Sequence, residues 1–244
     1  MNKILKLLKI LADSTYRRAL LKHGVAAGVE HEAMINALHS LTVVDVGANR
    51  GQFSLVVRKC LPMAYILAFE PLDVPAEKFQ ALFAKDAKAR LSRTALGTYS
   101  ETKTIHVSRR DDSSSLLPIT ETQHAMFPGT FEVGTQQVEV APLRHSLRPE
   151  EIRMPALLKM DVQGYELVVL QGCEDLLNRF SHVYVECSFI ELYEGQAFAN
   201  DVVAWLQVRG FLLSGVFNTS YDSAGQAIQA DFLFRRNPGA VSAI

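Results

Sequence analysis

The period of the apolar positions changes repeatedly along the chain, and each change marks an element. Lys3 to Leu11 sets Lys3, Lys6 and Lys9 along one side of a helix, with Ile4, Leu5, Leu7, Leu8 and Leu11 over the rest. Arg17 to His39 stays helical in tendency with breaks near Gly24 and Gly28. From Leu41 the pattern becomes that of buried strands separated by helices. Leu41–Val46, Ala64–Glu70, Leu91–Leu96, Ala156–Asp161 and His182–Cys187 read as short strands, mostly apolar. Gln52–Lys59, Ala76–Lys88, a segment running through Leu170, and Asp201–Arg209 space their apolar residues as helices.

Several stretches fall outside that alternation. Thr102–Ser108 reads as a strand in a hairpin, and Val138–Ala141 as a short strand. Between them, Arg109–Gly134 carries Asp111, Asp112, Ser113, Ser114, Ser115, Pro118, Pro128 and Gly129, the texture of a long loop that shapes a substrate mouth. Leu147–Ile152 reads as a linker or short helix. Phe211–Phe217 and Ala230–Arg235, joined by a turn over Tyr221–Gln226, read as an antiparallel hairpin at a sheet edge.

Strands alternating with helices predict an α/β fold with a mostly parallel sheet. The 244 residues, 48% of them hydrophobic, suit one α/β domain over residues 41–238 with an N-terminal helical segment over 1–40. That segment serves either as a cap over the site or as a homodimer element. Its first helix, taken as residues 1–12, equally suits peripheral contact with an anionic membrane. A formal net charge of −1 provides no global field for nucleic acid. Cys60, Cys173 and Cys187 stand far apart without metal-ligand spacing, so they read as thiols in a reducing compartment, with no metal expected. No apolar run approaches the roughly 20 residues of a membrane span, and no signal-peptide pattern opens the chain, which points to the cytoplasm.

The chemistry gathers on Val43–Ser54, where a strand ending near Asp45 turns through Gly47 and Gly51 into a helix. Glycines let the backbone adopt positive φ and let a ligand approach closely, and the helix start offers free amide donors. Asn49 stands where a dinucleotide fingerprint places its second glycine. A pyrophosphate needs that bare backbone. Asp45 would repel a phosphate and accept from an ammonium group, so the loop reads as a seat for S-adenosylmethionine rather than for a dinucleotide. An ordinary strand-to-helix turn has the same outline. Glu70, at the next strand end about 20 residues after the loop, sits where a carboxylate can hold a ribose diol. Asp161 and Glu186 close two further strands at the edge where such sheets bind ligands. His106 reads as an ordinary strand residue.

The blocks Val-Asp-Val-Gly-Ala-Asn-Arg-Gly-Gln-Phe at 44–53, Ala-Phe-Glu-Pro at 68–71, Ser-Ser-Ser-Leu at 113–116 and Lys-Met-Asp-Val-Gln-Gly-Tyr-Glu at 159–166 resemble the FkbM family of S-adenosylmethionine-dependent methyltransferases. So do Val-Glu-Cys-Ser-Phe at 185–189, Leu-Tyr-Glu-Gly-Gln at 192–196 and Asp-Phe-Leu-Phe at 231–234. The resemblance implies a Rossmann-like, seven-stranded class I methyltransferase fold with an antiparallel terminal strand. It also implies O-methyl transfer to a hydroxyl of a sugar, a surface glycan or a related secondary metabolite. The cofactor set expected on this basis is Asp45, Gly47, Ala48, Asn49, Gly51, Phe53, Glu70, Pro71, Ala95, Leu96, Ser115 and Asp161. The catalytic set is Asp161 as base or orienting residue, with Glu186 and Glu166 as further candidates. Glu166 equally suits a charge at a helix N-terminus. Many members carry Glu where this chain has Gln163. A nucleotide-sugar or dinucleotide enzyme, a non-catalytic binding module and a methyltransferase for a non-sugar acceptor are the competing readings.

Overall fold

The computed structural model of the protein describes residues 3–239; Met1, Asn2 and the side chain of Lys3, which belong to the expected membrane-contact segment, lie outside the described residues. Three helices come first: α1 (Lys3–Ala12), α2 (Ser14–His23) and α3 (Glu32–Leu38). Asp13 caps α2 by accepting from the Thr15 and Tyr16 amides, and Gly24 ends it in the left-handed conformation at φ +66°. These helices pack directly on the sheet. Ile10, Tyr16, Val29, Met34 and Ile35 share a core with the sheet residues Val43, Ile66 and Leu157.

Next come β1 (Thr42–Val46), α4 (Gln52–Cys60), β2 (Tyr65–Phe69), α5 (Asp73–Leu82), β3 (Ala89–Ser92) and β4 (Ala95–Leu96). The middle of the chain forms β5 (Glu101–Ser108), α6 (Glu121–Met126) and β6 (Glu132–Ala141). The remainder is β7 (Ala156–Met160), α7 (Glu166–Gly172), β8 (His182–Ser188), α8 (Ala199–Gln207), β9 (Phe211–Tyr221) and β10 (Ala227–Arg236).

The main sheet runs β3-β2-β1-β7-β8-β10-β9, parallel except for β10, which is antiparallel to both its neighbours. Strands β1 and β7 are buried along their whole length because helices cover both faces, which is why they are mostly apolar without alternating. Strand order reverses between β1 and β7, so the crevice at their carboxyl ends is the natural ligand site. Among the described residues no helix is long and apolar enough to cross a membrane.

Three expectations need correction. The helix expected over 76–88 begins at Asp73 and stops at Leu82. Proline at its third position is tolerated in a first turn, and Asp86 draws the chain out of the helix by accepting from the Lys88 amide while pairing with Arg58. The strand expected over 91–96 is split, since β3 closes the main sheet and β4 opens a second one ordered β4-β6-β5. Strand β6 runs from Glu132, not Val138. Its first half is exposed on both faces and lacks the alternation that would reveal it. The last two strands form the expected antiparallel hairpin at the sheet edge, with β10 inserted between β8 and β9.

Candidate active site

A cavity of ≈ 240 Å³ opens at the carboxyl ends of β1, β2 and β7. Its floor is the turn after β1. Gly47 takes φ +71°, Asn49 +45° and Gly51 +90°, so the chain doubles back through left-handed positions before α4 begins. A Cβ on Gly47 would fall 2.0 Å from the Asp161 carbonyl oxygen, so this position needs glycine for packing as well as for conformation. Gly51 meets Phe79, Phe83 and Leu82 on its far side and does not wall the cavity.

Beneath the turn lies a buried ion pair that sequence reasoning did not find. Lys159, 6% exposed on β7, places Nζ 3.1 Å from Asp45 Oδ1, donates to the Gly47 carbonyl at 3.1 Å, and lies 5.5 Å from the Phe53 ring centre. Burial pulls the lysine pKa down, yet the Asp45 carboxylate holds it above its ordinary value. The other Asp45 oxygen accepts from Ser54 Oγ at 2.6 Å. Asp45 is 0% exposed and faces away from the cavity, so its charge serves the turn. The clue in the sequence was a lysine inside a strand apolar on both faces.

Glu70 is fixed at the end of β2 by the Asn49 and Leu72 amides, which donate to its two oxygens at 2.9 Å each. Burial pushes its carboxyl up to about 7 in spite of those bonds. Beside it, Pro71, Leu72, Leu96, Ile105 and Leu116 form an apolar slot. Ser115 enters from the segment between β5 and β6, donating to the Gln163 carbonyl at 2.6 Å. Arg50, on the glycine turn, clamps that segment by forking onto Asp111 through Nε at 2.8 Å and a second guanidinium nitrogen at 2.5 Å.

At the end of β7, Asp161 faces the cavity. Gln163, held at φ +57°, divides its amide between two carboxylates: Nε2 donates to Asp161 Oδ1 at 2.6 Å and to Glu186 Oε2 at 3.1 Å. The Tyr193 hydroxyl lies 2.5 Å from Gln163 Oε1 and 3.1 Å from the Ser113 carbonyl, donating to one of them. Glu186 also accepts from Gln229 Nε2 at 2.7 Å, and burial with Asp161 nearby raises its pKa well above the carboxylate range. It stands behind Gln163 and does not wall the cavity. Neither does Glu166, whose Oε1 accepts from the Val162 and Gly164 amides and so fastens the turn between β7 and α7. Burial raises Glu166 to about 7.

The opposite wall brings residues from distant parts of the chain that the sequence reading did not assign to the site. Tyr184 donates to Asp231 at 2.9 Å, His31 Nδ1 lies 3.0 Å from the same hydroxyl, and Lys6 pairs with Glu30 at 2.7 Å. Burial lowers His31 to about 4 and raises Asp231 to about 6. Glu30, Glu70, Asp111, Asp112, Asp161 and Asp231 thus face two ammonium groups, Lys6 and Lys159, and a neutral imidazole. Gly47, Ala48, Asn49, Phe53, Pro71 and Ala95, with Leu96, Glu70, Ser115 and Asp161, meet around this one space. Among the described residues no group of His, Cys, Asp and Glu could hold a metal ion.

Comparison with known proteins identifies the family. Residues 45–213 match the methyltransferase FkbM domain. Methyltransferase sdnD of Sordaria araneosa is 27% identical over 193 residues, 69% of this chain and 73% of the relative. The 2-O-methyltransferase NoeI of Sinorhizobium fredii is 27% identical over 165 residues, 63% of this chain and 66% of NoeI. A Klebsiella pneumoniae structure provisionally assigned as an O-methyltransferase superposes with a TM-score of 0.52 at 11% identity, covering 96% of each chain, which supports the fold. The chain belongs to the FkbM methyltransferase family.

Proposed function

We propose that the protein transfers a methyl group from S-adenosylmethionine to a hydroxyl of a sugar, glycan or related metabolite. The observation that carries this reading is the charge of the cavity, where Glu70, Asp161 and Asp231 have no Lys or Arg partner while both ammonium groups, Lys6 and Lys159, are already paired. A diphosphate would be repelled there, whereas a ligand bearing a sulfonium and an ammonium is favoured. The rest of the donor set fits the same cofactor. Glu70 keeps lone pairs for a ribose diol beyond its two amide bonds, and the slot around Leu96 and Leu116 suits an adenine. One oxygen of Glu30 is buried without a partner at the cavity wall, as an acceptor for an ammonium group requires. NoeI, by its name, methylates an oxygen.

The sulfonium supplies an already activated methyl, so the protein must align the acceptor oxygen, take its proton and exclude water. Asp161 is the group on this wall that receives the proton, because its carboxylate meets the cavity and is held in one rotamer by Gln163. Gln163 and Glu186 act through Asp161 as positioning residues. The Arg50–Asp111 clamp keeps the β5–β6 segment over the site. Transfer of labelled methyl from S-adenosylmethionine to a panel of saccharides tests this. Asp161→Asn should lower kcat by roughly 10²–10⁴-fold while leaving S-adenosylhomocysteine affinity within a few fold. Full turnover in that variant, or transfer confined to amines and thiols, refutes it.

A further inference from the structure

Helix α1 is built the reverse of an ordinary surface helix. On a 3.6-residue turn Leu7, Leu8 and Leu11 share an arc about 100° wide with Leu5 at its flank. That arc points outward: Leu5 is 56% and Leu8 58% exposed, and Leu7 and Leu11 are exposed as well. The side turned to the protein holds Ile10, which is buried, and Lys6, which pairs with Glu30 at the cavity wall. Helix α2 adds Leu21, 77% exposed, beside the exposed Arg18 and Lys22. A soluble helix gains nothing from showing its leucines to water, and a leucine patch of this extent marks an interaction surface.

Charge identifies what the patch meets. Residues 4–23 contain five Lys or Arg and one acid, Asp13, which Lys59 already engages at 2.6 Å. The segment is therefore +4 in a chain of net −1, so the remainder is −5. Two copies of so cationic a face repel each other, which disfavours a homodimer through it. An anionic lipid surface attracts the face, accepts its leucines, and repels the acidic body behind it, fixing the orientation.

We infer that α1 and α2 dock the protein on a bilayer rich in anionic lipid, with the leucines of α1 seated among the acyl chains and Lys9, Arg18 and Lys22 at the headgroups. Because Lys6 walls the cavity from the other side of α1, docking holds the cavity rim about one helix diameter, ~10 Å, from the surface. The inference stands apart from the methyl-transfer reading, since it concerns the outer face of α1 and no cofactor.

Co-sedimentation of the full chain with vesicles of phosphatidylcholine alone, or with phosphatidylglycerol added, tests it. Each basic residue near an anionic surface contributes about fivefold to partitioning. Binding to the anionic vesicles should exceed that to neutral ones by roughly a hundredfold or more, and should weaken as salt rises. Leu7→Glu combined with Leu8→Glu should abolish it, and Lys9→Glu with Lys22→Glu should reduce it at least about tenfold. All four positions are exposed, so thermal melts should not move. Equal binding to both vesicle types, no binding to either, or undiminished binding by the leucine variant overturns the inference. So does a concentration-dependent dimer that the leucine variant dissociates in the absence of lipid, which would make this face a contact between copies.

Discussion

Replacing Lys159 by methionine removes one charge from beneath the glycine turn and leaves the other. The pair is 3.1 Å apart, so at an effective dielectric near 20 its attraction is about 5 kcal/mol. Desolvation of both ions offsets much of that in the intact protein, but the variant loses the attraction and keeps the buried carboxylate. Asp45 is 0% exposed and would retain only Ser54 Oγ as a partner, while the Gly47 carbonyl would lose its ammonium donor. Breaking one side of such a pair costs roughly 3–5 kcal/mol. In urea unfolding the Lys159→Met midpoint should fall by that free energy with an unchanged slope. Adding Asp45→Asn removes the stranded charge and should recover about 2–3 kcal/mol, a coupling that a double-mutant cycle reads directly. Because Lys159 also braces the turn, S-adenosylhomocysteine affinity should weaken in the single variant. A single-variant loss under about 1 kcal/mol, or strict additivity in the double variant, refutes the role given to this pair.

Three further outcomes rest on the same geometry. Gly47→Ala places a Cβ 2.0 Å from the Asp161 carbonyl at φ +71°, so it should lower stability by at least about 2 kcal/mol and abolish cofactor binding, as a urea titration and calorimetry would show. Glu166 has a folded pKa raised to about 7 by burial, so the folded state holds its proton longer than the unfolded chain; stability from this group is full below about pH 4.5 and is lost as pH rises through 7. Glu166→Gln, which keeps the oxygen that accepts from Val162 and Gly164, should therefore gain on the wild type by roughly 3 kcal/mol between pH 5 and pH 8, and a constant difference across that range would contradict it. Gln163→Glu sets a third carboxyl between Asp161 and Glu186, so kcat at pH 8 should fall at least about tenfold and recover partly toward pH 5; a wild-type profile would show that the amide donor is dispensable.

The main sheet was legible because its inner strands are buried on both faces, which writes them into the sequence as mostly apolar runs such as Thr42–Val46 and Ala156–Met160, interrupted only by Thr42, Asp45 and Lys159. The turn through Gly47 and Gly51 was legible for a different reason, since positive φ is something few residues other than glycine adopt. Strand β6 was not, because exposure of both faces from Glu132 to Thr135 leaves no alternation to read. The site was half legible. Glu70 and Asp161 declare themselves as acids at strand ends, yet whether an acid faces the ligand or the protein depends on its partners. Asp45 turns toward Lys159, and Glu166 toward two amides. His31, Tyr184 and Asp231 meet only because β8 and β10 pair and the N-terminal segment folds back over them. The amphipathic pattern of α1 was plain, but which side faces the protein is decided by packing, and there the narrow side of Ile10 and Lys6 is the one turned inward.

Calorimetric titration of the protein with S-adenosylhomocysteine, against wild type and Glu70→Ala in parallel, tests the central claim most directly. Binding by the wild type, a loss of at least about tenfold in the variant whose proposed ribose acceptor is gone, and no heat from NAD are the expected results. No binding of S-adenosylhomocysteine by a protein that remains folded, or equal affinity in both proteins, would contradict the cavity assigned here to the methyl donor.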